Sequence, residues 1–351
     1  SRQRLCGAAP DAVQRLGILV LHEWLIETWY GGGRRGWWLQ PLAWLFAAMA
    51  GLRRFAYRHR VLRKYRPLRP VVVVGNLTVG GTGKTPLVIW LAGELAARGL
   101  RVGIASRGYR GAGGPARLIT DADDAASAGD EALLLHRRLR LPVAIAARRA
   151  DAVRLLEPLC DLILADDGLQ HFALERDLEI VVIDGSRGLG NGRLLPAGPL
   201  REPRTRLHEV DAVVVNGTGF TRPGALSMNL VPVAVVALDS GERRPLAAFS
   251  GRRVHAIAAI GNPQRFFAML REHGLSLEEH PLPDHMAIPA TAIGNDGGQA
   301  VLMTEKDAVK CPKGRLENVW YVEVDAHIEG PAAIAMLNQI VSLVRDRNLG
   351  A

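Results

Sequence analysis

The chain has 351 residues, of which 48% are apolar and 23% are charged. These values are near those of ordinary globular proteins, so they exclude a fibrous repeat and a largely disordered chain. The formal net charge of +9 suits nucleic acid, acidic membrane surfaces or phosphorylated ligands. The Arg residues are spread along the chain and aromatic residues are few, so no nucleic-acid partner is predicted.

The three cysteines, Cys6, Cys160 and Cys311, are odd in number and far apart in the sequence. This spacing supports neither a disulfide framework nor a paired-cysteine metal site, and it favours a reducing compartment. No stretch has the pattern of a cleaved signal peptide, and no apolar run reaches the ~18 residues of a membrane-spanning helix. We therefore expect the bulk of the protein to be cytoplasmic.

Residues 1–28 are expected to form an N-terminal extension that is partly disordered, and residues 29–69 a membrane-associating segment. The apolar positions of the second segment at helical spacing are Leu42, Leu45, Phe46, Met49 and Leu52. Seven Arg and one Lys follow between Arg53 and Arg69. An apolar helix face beside a cluster of cations is typical of a helix in a membrane interface. The alternative is a buried helix followed by a solvated basic turn.

From Pro70 onward, short β-branched runs alternate with helical stretches, which predicts a parallel sheet with helices on both faces. Residues 70–220 are assigned to a first α/β domain, and residues 221–351 to a second, smaller α/β domain whose C-terminal helix could pack back on the first. The boundary is expected within the stretch from Gly217 to Ala225. The strands predicted in the first domain are Val71–Val74, Arg101–Ala105, Pro142–Ala146, Leu162–Ala165, Glu179–Ile183 and Ala212–Val215.

The first predicted strand runs into a glycine-rich turn, after which a helix begins. The turn consists of Thr78, Val79, Gly80, Gly81, Thr82, Gly83, Lys84 and Thr85. This order is typical of a P-loop, in which backbone N–H groups and Lys bind phosphates and the Thr hydroxyl binds Mg²⁺. Thr78 stands where the first Gly of the common pattern lies. The turn therefore predicts a nucleotide and Mg²⁺, and a glycine-rich turn without a nucleotide is the alternative.

Another predicted strand, Leu162 to Ala165, ends in two carboxylates, Asp166 and Asp167. Ligands of parallel sheets bind at the carboxyl ends of the strands, and beside a P-loop such carboxylates can hold Mg²⁺. The pair could also simply cap the next turn. The stretch from Gly185 to Pro203 is rich in Gly and Arg, which fits either an anionic ligand or a solvated surface loop.

Three further groups are ambiguous from the residues alone. Asp130 opens a predicted helix, where a carboxylate is commonly a first-turn cap. His285 follows two prolines in a loop, and a single loop His is usually a surface residue. The run from Thr304 to Asp307 could contact a nucleotide base, although its adjacent Lys and Asp differ from the Lys-x-Asp of GTPases.

Several blocks of residues, spread over roughly residues 29–345, match the pattern of one known enzyme family. The strongest block runs from Asp166 to His171 and continues through residues 176–180 and 190–203. The shorter blocks are Gly75-Asn76, Ser106 to Tyr109, Gly129 to Glu131, Ala259 to Pro263, Pro283 to His285 and Thr304 to Lys310. Through these blocks, the chain resembles the tetraacyldisaccharide 4'-kinases, the lipid A 4'-kinases of Gram-negative bacteria. The resemblance implies a P-loop kinase that transfers the γ-phosphate of ATP to the 4'-hydroxyl of a tetraacyldisaccharide 1-phosphate.

The resemblance also implies roles for individual residues. Asp130 becomes a candidate general base with His285 as its partner, because a sugar hydroxyl is a poor nucleophile at neutral pH. The implied ligands of Mg²⁺-ATP are Asp166, Asp167, Glu202 and the P-loop, with Thr85 on the metal. The residues implied at the phosphates or polar head of the lipid are Arg149, Gln170, His171 and Arg201.

A lipid substrate accounts for the amphipathic and basic N-terminal region. The implied partners are the lipid A disaccharide 1-phosphate precursor and a membrane surface with anionic lipid, and no protein partner is predicted. The implied location is the cytoplasmic face of the bacterial inner membrane, as a peripheral, monotopic protein. The alternative function is a P-loop GTPase or ATPase switch of the metal-insertion or partitioning type. Many of those switches have a signature Lys where this chain has Val79.

Overall fold

The computed structural model describes residues 24–31, 36–108, 115–289, 298–311 and 316–349. Residues 1–23 of the predicted N-terminal extension lie outside these described residues, as does Tyr109 of the family resemblance. The helices are α1 (24–30), α2 (Gln40–Arg58), α3 (Lys84–Ala97), α4 (Ala125–Ala128), α5 (Asp130–Leu139), α6 (Arg149–Leu156), α7 (Pro263–Glu272), α8 (Glu305–Ala308) and α9 (Pro331–Leu349).

The described strands form one 13-stranded sheet in the order β11-β10-β12-β13-β8-β7-β6-β1-β5-β2-β4-β3, with β9 paired to β8. In the first half, the strands are β1 (Val71–Gly75), β2 (Val102–Ser106), β3 (Arg117–Leu118), β4 (Val143–Ile145), β5 (Leu162–Asp166), β6 (Leu178–Asp184) and β7 (Ala212–Asn216). The remaining strands are β8 (Leu226–Ala237), β9 (Arg243–Arg244), β10 (Arg253–Ala258), β11 (Ser276–Pro281), β12 (Val301–Thr304) and β13 (Val319–His327).

Strand β1 lies inside the first half of the sheet and pairs in parallel with β5 and β6. Its four valines are fully buried, which explains why the segment reads as a continuous apolar run rather than an alternating one. Helices α3, α5 and α9 contribute to the core on one face of the sheet, and α6 contributes to the core on the other. The predicted α/β class, with a parallel-dominated sheet between helices, is confirmed.

A single long strand, β8, connects the two halves of the sheet. Its first residues pair in parallel with β7, where Met228 lies opposite Asn216. Its later residues pair antiparallel with β13, where Val235 lies opposite Val322. The predicted boundary between residues 217 and 225 directly precedes this strand, and the division into two domains stays a prediction. Because one strand belongs to both halves, the backbone itself fixes how their carboxyl edges lie relative to each other.

Helix α2 contacts the rest of the protein through only part of its circumference. Ala43 is buried, and the guanidinium of Arg54 pairs with Glu209. Large apolar side chains on the remaining surface are exposed, with Leu52 69% and Met49 65% accessible. The exposed apolar residues of α2 and of the turn before it are Trp37, Trp38, Leu42, Trp44, Leu45, Met49, Leu52 and Phe55. None of the described helices combines the length and the hydropathy needed to span a membrane.

The core between α3 and the sheet gives a direct test of the packing. Leu91 of α3 is fully buried there. We expect Leu91→Ala to lower the free energy of unfolding by about 2–5 kcal/mol, because it removes packed methyl groups and leaves a cavity. Leu68→Ala is the matched control, because Leu68 is 74% exposed and should cost less than about 0.5 kcal/mol. Equal losses for the two variants in urea unfolding would contradict this packing.

Candidate active site

The predicted P-loop lies at the carboxyl end of β1 and leads into α3. Gly80 and Gly83 have φ angles of 103° and 96°, a backbone region in which side chains are strained. A Cβ atom on Gly83 would also clash with the side-chain amide of Asn216, which donates to the carbonyl of Thr82 at 3.0 Å. Lys84 is the first residue of α3, so the positive end of this helix faces the turn. The conformation suits an anionic ligand.

Asp167 lies between two cations beside this turn. Its carboxylate is 3.6 Å from Nζ of Lys84 and 3.2 Å from Nη1 of Arg201. Burial alone would raise the pKa of Asp167, but Lys84 and Arg201 hold it well below the usual range. Asp167 is therefore ionised at neutral pH. Lys84 and Arg201 both point to the space beside it, where their charges could neutralise a phosphate.

Asp166 is almost completely buried at the end of β5. Neither of its carboxylate oxygens has a hydrogen-bond partner among the described residues. Burial, followed by repulsion from Glu131, raises the pKa of Asp166. A buried carboxylate with two unsatisfied oxygens is costly unless a cation or proton satisfies it. Carboxylate oxygens are the ligands that Mg²⁺ prefers, so the residues present fit such an ion.

Arg149 lies directly behind Asp166. Its Nη2 donates to the main-chain carbonyl of Asp166 at 2.5 Å, while Nε and Nη1 have no partner among the described residues. Burial lowers the pKa of Arg149 to about 10, so the guanidinium is still charged at neutral pH. Its side chain contributes positive charge beneath the carboxylates and does not reach the surface.

Asp130 and His285 come together from the two halves of the protein. Nδ1 of His285 lies 2.9 Å from Oδ2 of Asp130 and 3.2 Å from Oδ1. Burial would raise the pKa of Asp130, but His285 and then Lys306 lower it to about 2. The hydrogen bond that His285 donates to Asp130 in turn raises the pKa of His285. His285 has a φ of 62°, in the left-handed region that is uncommon for residues other than glycine.

Lys306 is a further residue of this cluster, and no feature of its local sequence connects it with Asp130. Its Nζ lies 2.9 Å from Glu131, 3.3 Å from Asp284 and 3.8 Å from Asp130. Burial would lower its pKa, but Glu131, Asp284 and Asp130 raise it overall. Lys306 is thus a permanent cation that keeps Asp130 ionised.

The remaining predicted site residues lie along the same edge. Gln170 donates to Glu202 at 2.8 Å, and the other oxygen of Glu202 lies 3.2 Å from Nε of Arg206. Glu202 is also buried, and Gln170 and Arg206 contact its two carboxylate oxygens. Burial, followed by repulsion from Arg149, lowers the pKa of His171 to about 4. His171 is therefore neutral at pH 7.

A cavity of about 850 Å³ separates the P-loop from the second half of the sheet. It is lined by Lys84 and Thr85 on one side and by Arg265 and Lys306 on the other. Asp184 joins the two sides, because it accepts from Asn262 at 2.9 Å and from Arg265 at 2.5 Å. The volume is in the range of ligand-binding clefts.

Sequence reasoning missed Asp184, Asn216 and Arg265. Asp184 ends β6 and Asn216 ends β7, so both occupy the same kind of position as Asp166 at the end of β5. That shared position was the available signal. Arg265 lies on α7 of the second half, and no feature of its local sequence points to the P-loop.

Two residues of the run from Thr304 to Asp307 stabilise the local fold. Thr304 is the N-cap of α8 and accepts from the backbone N–H of Asp307. Asp307 is completely buried and accepts from the backbone N–H of Ala259 at 3.0 Å. Thr304, Glu305 and Lys306 also line the cavity. Contact with a nucleotide base stays a prediction.

The Asp130–His285 contact predicts a pH dependence of stability. Folding raises the pKa of His285. Its contribution to the stability of the fold is therefore complete below the unfolded pKa of about 6.5 and is lost as pH rises through the folded pKa. Asp130 has the opposite sign, so its contribution is present above an unfolded pKa of about 4 and is lost only as pH falls towards the folded value, which is about 2. We expect His285→Gln to destabilise the protein more at pH 5.5 than at pH 9 in urea unfolding. An equal loss at both pH values would contradict a charged pair.

Comparison with known proteins identifies close relatives along nearly the whole chain. The tetraacyldisaccharide 4'-kinase of Methylobacillus flagellatus is 46% identical over 328 residues, covering 92% of this chain and 97% of the relative. The enzyme of the same name from Pseudomonas paraeruginosa is 48% identical and covers 89% and 95%. A crystal structure of LpxK from Aquifex aeolicus in complex with ATP has a TM-score of 0.73 and 29% identity, and covers 87% of this chain and 99% of that chain.

The family model for tetraacyldisaccharide-1-P 4'-kinase matches residues 35–342. The family resemblance and the kinase function predicted from the sequence are confirmed. The GTPase or ATPase switch gains no comparable support. The chain belongs to the tetraacyldisaccharide 4'-kinase family.

Proposed function

We propose that this chain transfers the γ-phosphate of ATP to the 4'-hydroxyl of a tetraacyldisaccharide 1-phosphate. The observation that carries the proposal is the Asp130–His285 contact of 2.9 Å, formed beside a cavity that the P-loop residues Lys84 and Thr85 line together with Glu131 and Lys306. A phosphate-binding turn alone fits many nucleotide enzymes. A proton acceptor positioned next to that turn is what transfer to a hydroxyl requires.

ATP is proposed to bind with its phosphates in the turn from Thr78 to Thr85. Backbone N–H groups of the turn donate to the phosphate oxygens, and Lys84 supplies a compact cation at the terminal phosphates. In this structure Lys84 faces Asp167 at 3.6 Å, so its charge is already directed at the edge where the phosphates would lie. The cavity between the turn and Arg265 has room for the nucleoside.

Asp166, Asp167 and Thr85 are proposed to hold Mg²⁺. The unsatisfied, buried oxygens of Asp166 support this assignment, since a divalent cation would satisfy both. Bound there, Mg²⁺ supplies positive charge that neutralises the phosphates during transfer. Glu202 contacts Gln170 and Arg206, so we propose that it positions the ATP-binding loop through these partners.

Asp130 is proposed to accept the proton of the 4'-hydroxyl. Its pKa of about 2 guarantees that it is ionised at neutral pH, although it makes the carboxylate a weak base. A weak base is sufficient when the transition state is loose, because little proton transfer has then occurred at the point of highest energy. His285 orients the carboxylate through its Nδ1, and Lys306 holds the cluster together.

The polar head of the acceptor is proposed to contact Arg201, Gln170 and His171. Arg201 is partly exposed and lies beside Asp167, so it can meet a phosphate at the same edge. Arg149 is buried behind Asp166, so we propose that its charge acts on the phosphates from beneath the carboxylates. A neutral His171 can accept a hydrogen bond from a sugar hydroxyl.

The exposed apolar surface of α2 is proposed to bind the cytoplasmic face of the inner membrane as a peripheral contact. Eight large apolar side chains between Trp37 and Phe55 are exposed, and the basic cluster from Arg53 to Arg69 follows directly. Apolar side chains can enter the acyl region while these cations meet anionic headgroups. Such an anchor would place the site next to an acceptor whose four acyl chains remain in the bilayer.

The kinase proposal is tested by phosphate transfer to a defined acceptor. We expect purified protein with Mg²⁺-ATP to phosphorylate a detergent-dispersed tetraacyldisaccharide 1-phosphate at the 4'-position. Asp130→Asn should lower kcat by about 10²–10⁴-fold, because the amide cannot accept the proton. ATP binding, measured by calorimetry, should change little in this variant.

Asp121→Asn is the matched control for this substitution, because Asp121 is exposed and pairs with Arg140 at the other end of α5. The control should keep wild-type turnover. Lipid-independent hydrolysis of GTP by the wild type, without any transfer from ATP, would reject the kinase in favour of a switch protein. Wild-type turnover of Asp130→Asn would remove Asp130 as the base.

The membrane proposal is tested by co-sedimentation with vesicles that contain phosphatidylglycerol. Leu45 and Leu52 are 58% and 69% exposed, so replacing both by Glu should not disturb the core. We expect the double variant to lose most vesicle binding, because charged side chains would have to enter the acyl region. Ile334→Glu is the control, since Ile334 is 57% exposed on α9. Binding by the double variant equal to that of wild type would reject α2 as the anchor.

A further inference from the structure

Three metal-ligand side chains meet on the outermost strands of the second half of the sheet. His255 lies on β10, and Glu278 and His280 lie on β11. The two strands are parallel, with His255 opposite Glu278 and Ile257 opposite His280. Register partners and residues two apart point to the same face of a sheet, so all three side chains share one face. The opposite face carries Glu279, which pairs with Arg271 of α7.

The distances among the three groups are those of ligands around one ion. Nδ1 of His255 lies 3.1 Å from Nε2 of His280, and Oε1 of Glu278 lies 3.7 Å and 3.9 Å from these two nitrogens. The circle through three atoms with these separations has a radius of about 2.1 Å, which equals the Zn–N and Zn–O bond lengths of protein sites. Three ligand atoms at these separations can therefore surround one ion of that size.

We propose that His255, Glu278 and His280 bind a divalent transition-metal ion of the zinc class. Two imidazole nitrogens and one carboxylate oxygen form a ligand set that suits Zn²⁺ better than Mg²⁺. Arg253 contacts the other carboxylate oxygen of Glu278 at 3.2 Å, which leaves Oε1 directed at the two histidines. The three side chains are 20–42% exposed, so a water molecule can occupy the fourth position and the ion can exchange with solvent.

This cluster is separate from the kinase site. Strand β11 is the outer strand of the sheet, and His255 lies near the start of β10, whereas the P-loop contacts Gly261 beyond the end of β10. An ion at the cluster would join the edge strand β11 to β10 through side chains. The bound ion is therefore expected to stabilise this edge of the sheet. The alternative for the same geometry is a direct N–H···N hydrogen bond between the two imidazoles.

The proposal is tested by titrating Zn²⁺ into the full chain after removal of any affinity tag and treatment with a chelator. We expect one tight site by calorimetry, a higher melting temperature with Zn²⁺, and the visible spectrum of four-coordinate Co²⁺ when cobalt replaces zinc. His255→Ala and His280→Ala should each weaken Zn²⁺ binding by at least about 100-fold. Arg253→Ala should weaken it by about 10-fold, because Arg253 only orients Glu278.

His327→Ala is the matched control, because His327 pairs with Glu329 at 2.8 Å on an exposed surface and no third ligand joins this pair within the described part of the chain. It should bind Zn²⁺ as the wild type does. Glu278→Gln keeps the shape of the edge strand and separates loss of a ligand from loss of folding; it should weaken binding while its circular dichroism stays unchanged. Zn²⁺ affinity in His255→Ala and His280→Ala equal to that of wild type, or no stoichiometric site in wild type, would overturn the proposal in favour of the imidazole–imidazole hydrogen bond.

Discussion

One strand, β8, determines how the two sides of the site meet. It pairs with β7 of the P-loop half and then with β13 of the other half, so the two carboxyl edges belong to one sheet. Backbone hydrogen bonds hold this arrangement more firmly than a flexible linker could. The close approach of Gly81 and Gly261, and the bonds of Asp184 to Asn262 and Arg265, then become possible. The contact between Asp130 and His285 depends on the same alignment.

The charges around Asp166 and Asp167 determine which ligands the site favours. Neither carboxylate oxygen of the buried Asp166 has a hydrogen-bond partner among the described residues, while Asp167 lies between Lys84 and Arg201. The carboxylate of Asp166 thus needs a cation. The carboxylate of Asp167 already pairs with Lys84 and Arg201, whose side chains could contact phosphates instead. Burial makes each of these interactions stronger than it would be in water. Helix α2 and its basic flank supply the second requirement of a lipid kinase, which is access to a substrate held in a bilayer.

The sequence predicted the first half of the fold well, because its strands are continuous apolar runs between helices of ordinary length. Strand ends differed by at most one residue, as for Arg101–Ala105 against the observed Val102–Ser106. Asp130 could not be distinguished from a helix cap by its neighbours, since its partner His285 lies 155 residues away. The family resemblance supplied that pair. Lys306 and the cluster of His255, Glu278 and His280 escaped detection for the same reason, because Glu131 lies 175 residues from Lys306 and His280 lies 25 residues from His255.

The central claim is that Asp130 and His285 act as one unit although they lie in different halves of the sheet. A double-mutant cycle on kcat tests it most directly, with Asp130→Asn, His285→Gln and the double variant compared under saturating ATP and lipid acceptor. The account predicts that the double variant is no slower than Asp130→Asn, because His285 works only through the carboxylate. A double variant whose loss equals the product of the two single losses would show that the residues act independently, and would contradict the account.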